Sequence, residues 1–145
     1  MNNNKQNFDE HREQFKSDYQ IAQKTKLPFA KIIGIIFSAK HLNVSIFCDA
    51  TGQDANAYYR LIGEKPYRPW KKTIVSLCII FKIDVISYLR LLEAAGYSFD
   101  PVDKTDYAYI FILQNFRGAE IELCNNFLAE IGLDKKAYLA DVAGN

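Results

Sequence analysis

Long apolar runs are missing from this chain. The longest, IIGIIFSA, is interrupted by Gly34 and soon meets Lys40, well short of the ~18 residues that a membrane helix needs. No membrane partner is expected. The opening MNNNKQNF has no apolar signal-peptide core, so the expected location is the cytoplasm. Cysteine is scarce: Cys48, Cys78 and Cys124 are the only three, and no C-x-x-C occurs. Each sits among apolar neighbours at helical spacing and reads as a small buried hydrophobe. His11 and His41 have no ligand-spaced partner, so neither a metal site nor a cofactor is expected. A Gly-rich phosphate loop and a nucleophile elbow are also lacking. Asp9, Glu10 and Glu13 fall on an exposed helical face, and Glu120 and Glu122 do not share one. The expectation is a protein that is not an enzyme.

What the chain has is apolar mass and an uneven spread of charge. It is 145 residues long, 49% of them hydrophobic, with ten Phe and nine Tyr. That is enough for a real core in one domain, or one and a half. The formal net charge is only +1. Residues 55–92, however, hold seven Lys or Arg against Glu64 and Asp84, and residues 93–145 hold four against nine acids. A basic middle followed by an acidic tail hides behind a neutral total. A phosphate backbone responds to a local positive patch more than to whole-chain charge.

The periodicity throughout is helical. Asn2–Gln6 is polar and reads as frayed. Phe8, Arg12, Phe15, Tyr19 and Ala22 then recur at steps of three and four, which predicts an amphipathic helix from Phe8 to about Lys24. Pro28 suits the first turn of a second helix, PFAKIIGIIFSAK. Asn43 can cap VSIFCDAT, which Gly52 ends, and Asp54 can cap Ala55 to Ile62, ended by Gly63. EKPYRP has two prolines three residues apart and cannot be regular helix. Trp70 to Phe81 reads as a fifth helix. Asp84 caps VISYLRLLEAA, which Gly96 stops. YSFDPVD is a linker, Asp103 caps KTDYAYIFILQNF, Gly118 breaks it, AEIELCNNFLAEI follows, and DKKAYLADV reads as a last short helix. Strand alternation is absent over any useful length. YAYIFIL is β-rich in composition but is assigned to a helix.

Two short helices joined by a glycine turn, Asn43–Thr51 and Asp54–Ile62, carry a helix-turn-helix pattern. Leu42, Phe47 and Cys48 would brace Tyr58 and Leu61, and the second helix would show its amino-terminal residues to solvent. With LNVSIFCDATG, DANAYYRL, Gly63, Pro69 and TIVSLCIIFKIDV in these places, Leu42–Val85 resembles the lambda-repressor-like (Cro/C1, XRE-type) helix-turn-helix family. Val44 stands where that family often has a polar residue, and Ala55 and Ala57 where it often has basic or hydroxyl residues. The resemblance implies an all-α protein. Residues 1–26 would form a polar segment and an N-terminal helix. Residues 27–99 would form a lambda-repressor-like five-helix domain, and residues 100–145 an acidic helical C-terminal extension. It also implies sequence-specific binding of double-stranded DNA by a transcriptional regulator, bacterial or phage, with the helix Ala55–Ile62 in the major groove.

In that reading Ala55, Asn56 and Tyr59 face the groove, while Arg60, Lys65, Arg68, Lys71 and Lys72 hold the backbone. Asn pairs bidentately with adenine and Ala meets a thymine methyl. Asn56 fits a base contact or a solvated helix position equally well. Arg60 and Tyr59 also suit phosphates, and Arg60 suits a surface ion pair. Lys65, Arg68, Lys71 and Lys72 read either as solvated charges or as phosphate contacts. Four bases within eight residues, flanked by Tyr67 and Trp70, favour phosphate.

One such module reads few base pairs, so a homodimer on paired half-sites is expected. The stripe Ile110, Leu113, Phe116, Leu123, Phe127, Leu128 and Ile131 needs a surface. The candidates are the amino-terminal stripe, the core or a two-fold axis, and a dimer contact is the expectation, with residues 27–99 folding without the tail. The other reading is a protein-interaction module of the same fold that has lost DNA binding and holds a protein partner through residues 100–145.

Overall fold

The computed structural model describes residues 2–25, 28–65 and 67–139. Among them are eight α-helices and no strand: α1 (Asn2–Thr25), α2 (Phe29–Ala39), α3 (Val44–Thr51), α4 (Ala55–Ile62), α5 (Lys71–Ile80), α6 (Val85–Ala94), α7 (Lys104–Asn115) and α8 (Ile121–Glu130). A single 3-10 turn follows at Lys135–Ala137. The all-α expectation holds.

The caps explain most boundaries. Asn43 accepts a hydrogen bond from the Ile46 amide at 2.9 Å, Asp54 from Ala57 at 3.2 Å, Asp84 from Ser87 at 2.7 Å and Asp103 from Thr105 at 3.2 Å. Each satisfies an amide at a helix start that has no partner within the helix. Several boundaries differ from the sequence reading; α8, for one, starts at Ile121 rather than Ala119. Pro28 and Trp70 lie just outside their helices, in extended backbone with ψ of 158° and 156°; their carbonyls accept the first helical bonds, the geometry of a cap rather than of a first turn. Asn2–Gln6, expected to fray, is helical. The last predicted helix shrinks to Lys135–Ala137, because Tyr138 turns to ψ 142°; its residues 140–142 lie outside the described ones.

α5 is the centre. Every residue from Thr73 to Ile79 is buried, the pattern of a helix that has neighbours on all sides. α6, α7 and α8 pack on it, α2 packs on α4 and α6, and α3 packs on α4. One continuous core runs from Phe29 through Ile33, Leu61, Ile74 and Leu92 to Ile112 and Leu128. Fully burying a side chain of this kind contributes about 1.5–3 kcal/mol. Leu113 and Leu128 are buried, and Ile110, Phe116, Phe127 and Ile131 are half-buried against the core. Most of the carboxy-terminal stripe is therefore spent inside its own chain, with Leu123 left exposed.

Polar contacts reinforce that packing. The Lys71 Nζ lies 3.0 Å from the Asp106 Oδ2 and donates to the Ser98 carbonyl at 3.1 Å. Asp106 is buried and also accepts from the Asp100 amide at 3.0 Å. The Tyr109 hydroxyl donates to the Ala137 carbonyl at 2.7 Å, and the Asn125 amide group both donates to and accepts from the Leu139 backbone. The segment after α8 is thereby tied down to Leu139.

Candidate nucleic-acid interface

The turn between α3 and α4 is built locally. Gly52 sits in the left-handed region at φ 72° and returns its amide to the Cys48 carbonyl, a conformation that costs glycine little. The Thr51 hydroxyl donates to the Phe47 carbonyl at 2.8 Å and accepts from the Gln53 amide at 3.2 Å. Asp54 then starts α4.

An aromatic cluster sets how α4 sits. Phe47, fully buried, meets Tyr58 edge-on at 5.4 Å, and Phe37 stacks on Tyr58 at 5.9 Å. Phe81 closes the group at 5.6 Å from Phe37 and 5.8 Å from Phe47. Separations of 4.5–7 Å are those at which rings add to their burial energy. Ala57 and Leu61 are buried beside this cluster and Tyr58 is half-buried. α3 does brace α4, and Tyr58 is a packing residue as expected.

The helical period then turns the opposite face outward. Ala55, Asn56, Tyr59 and Arg60 are all exposed, so this half of the sequence-derived set lies together on one surface. The Tyr59 ring leans edge-on against Tyr58 at 5.3 Å, and the Arg60 guanidinium lies 5.6 Å from the centre of the Tyr67 ring. Gly63 ends the helix in a tight spot: a Cβ there would lie 2.5 Å from the Tyr59 carbonyl oxygen.

The basic loop residues do not act as one group. Lys65 is exposed, and Lys72 is half-buried with its Nζ 4.7 Å from the centre of the Trp70 ring. Arg68 reaches the end of α6, donating to the carbonyls of Ala95 at 2.7 Å and Gly96 at 3.2 Å, with its guanidinium 4.0 Å from the Tyr97 ring centre. It serves the last carbonyls of that helix, where a cation is also favoured by the dipole. Lys71 is held by Asp106. Spacing along the sequence gave no sign of either role, because the partners lie 27 to 35 residues further on.

Among the described residues no group of three His, Cys, Asp or Glu side chains could hold a metal ion. Burial, the first cause, and the nearby Asp84 carboxylate push the Cys78 thiol far above its usual range, and burial raises that of Cys124. Neither supplies a thiolate nucleophile at neutral pH. No single described helix is long and apolar enough to cross a membrane. Beside α4, a largely apolar groove of about 950 Å³ runs between α2, residues 62–65, Tyr67, Arg68 and the end of α6, with Ile35, Lys31 and Lys65 in its lining.

The chain matches no family model, no curated protein and no solved structure. What α4 can do follows from its own side chains.

Proposed function

We propose that α2–α6 form a lambda-repressor-like five-helix domain and that the protein binds double-stranded DNA in a sequence-dependent way, as a transcriptional regulator, with α4 in the major groove. One observation carries the reading. α4 buries Ala57 and Leu61 against a braced aromatic cluster and turns Ala55, Asn56, Tyr59 and Arg60 outward on one face. A fixed short helix that presents an amide, a phenol, a guanidinium and a small apolar residue has the means for base and phosphate contact. Asn56 and Ala55 lie in the first turn, where a recognition helix meets base edges. Lys65, in the loop after α4, and Lys72, in the first turn of α5, add positive charge. Pairing of two protomers on adjacent half-sites would supply the length of sequence that one helix cannot read.

The polar contacts refine the electrostatics. Lys71 is neutralised by Asp106, and the fork of Arg68 is committed to the end of α6. Arg60 on the exposed face of α4, with Lys65 and Lys72, makes up the proposed phosphate set. Three such contacts give a slope of log K against log salt of about −3 per protomer. A salt titration on mixed genomic fragments checks this, and an absence of binding at low salt would sink the reading. Asn56→Ala should cost about 1–3 kcal/mol on a selected site and little on random DNA. Equal loss on both would remove Asn56 from base readout.

A protein-interaction module is the second reading. Tyr107, Phe111 and Leu123 are exposed on the acidic carboxy-terminal helices, and a partner protein would cover them. The low-salt binding experiment separates the two.

A further inference from the structure

α1 presents an apolar seam. Phe8, Phe15 and Tyr19 are 66%, 65% and 53% exposed. With Arg12 they follow each other at steps of four, three and four, the narrow seam of a helix that pairs with another helix. Phe15 and Tyr19 stack on each other with ring centres 5.8 Å apart. A helix of 24 residues is about 36 Å long, and in isolation a helix of mixed sequence is marginal in water. The seam calls for a partner.

The charges beside the seam say which. Asp9 and Lys16 flank it on one side, His11 and Asp18 on the other. In a parallel pair of α1 helices Arg12 would face Arg12 in the interior, and His11 would neighbour Lys16. In an antiparallel pair centred between Glu13 and Gln14 the contacts between Phe8 and Tyr19 would be favourable. Phe8 meets Tyr19 of the second copy, Arg12 lies on Phe15, Asp9 lies beside Lys16, and His11 lies beside Asp18. Each contact occurs twice by symmetry. The bonds to be exchanged are weak: Arg12 to Asp9 at 3.2 Å and Lys16 to Glu13 at 3.7 Å are exposed pairs within one helix, which solvent screens.

We propose that α1 is a self-association helix through which two copies of this chain pair antiparallel. The inference stands whatever α4 binds.

Sedimentation of the full chain over a range of concentrations tests it. A monomer–dimer equilibrium is expected. Phe15→Asp should give a monomer that still unfolds cooperatively, because Phe15 lies outside the core. Lys16→Asp should weaken the dimer by about tenfold, by turning two attractive contacts into two repulsive ones. The double exchange Asp9→Lys with Lys16→Asp should restore it, which only the antiparallel register allows. A wild-type chain that stays monomeric, with the seam solvated or folded onto its own groove, would overturn the proposal. A dimer indifferent to Phe15→Asp would overturn it too, as would a double exchange that fails to restore association.

Discussion

Lys71 and Asp106, 35 residues apart in sequence, meet with Nζ 3.0 Å from Oδ2. The contact joins the basic middle of the chain to its acidic tail. The Asp106 side chain is 4% exposed and that of Lys71 28%. Removing one partner of a fully buried pair costs about 3–5 kcal/mol, and the partial exposure of Lys71 lowers this to about 2–4 kcal/mol for Asp106→Ala. Chemical denaturation measures it. For the same reason, a chain cut after residue 99 should lose cooperative unfolding rather than persist as the free five-helix unit that the sequence suggests. It would bare the sides of α5 that α7 and α8 cover.

Tyr58 and Tyr59 should separate stability from binding. Tyr58 belongs to the cluster with Phe37 and Phe47. Truncating a buried aromatic costs about 3–5 kcal/mol, and for the half-buried Tyr58→Ala about 2–3 kcal/mol is expected. Tyr59 is 55% exposed, so Tyr59→Ala should change stability by no more than about 0.5 kcal/mol while reducing DNA affinity. Thermal melts beside a binding assay on each variant give the comparison. A destabilised Tyr59→Ala would mean that α4 is rotated about its axis from the orientation described.

Acid should weaken the start of α6 first through Asp84. The Ser87 amide, donating to its carboxylate, holds the pKa below the usual 3.8. A carboxylate with a lowered folded pKa contributes stability that is complete above the unfolded value and is lost as pH falls through the folded one. The loss therefore begins below about pH 5 and continues under pH 3.8. Asp84→Ala should cost about 1 kcal/mol at neutral pH and flatten this part of the acid limb. Urea unfolding of both proteins between pH 2 and pH 6 checks it; parallel curves would show that Asp84 does not carry the dependence.

How much of this was legible in the sequence depends on the range of each interaction. Asn43, Asp54, Asp84 and Asp103 bond to amides two or three residues away, so their caps could be read directly. The exposed face of α4 followed from the period set by Tyr58 and Leu61, although Ala57, grouped with Ala55 at the family's contact positions, is buried. Arg68 and Lys71 could not be read, because a cation beside tyrosine and tryptophan looks the same whether it faces solvent or a carboxylate 35 residues away. The carboxy-terminal stripe announced that it needed cover, but not that α5 would supply it.

The burial of α5 on every side also has a consequence in time. Its apolar residues leave the ribosome well before those that cover them. Ile79 precedes Leu128 by 49 positions, about 2–10 s of synthesis at ordinary elongation rates. During that interval the most fully buried helix of the chain has only its upstream helices and α6 for company. Nascent chains of this protein thus pass through a stage in which a chaperone, or a neighbouring nascent chain, competes with α7 and α8 for the same surface.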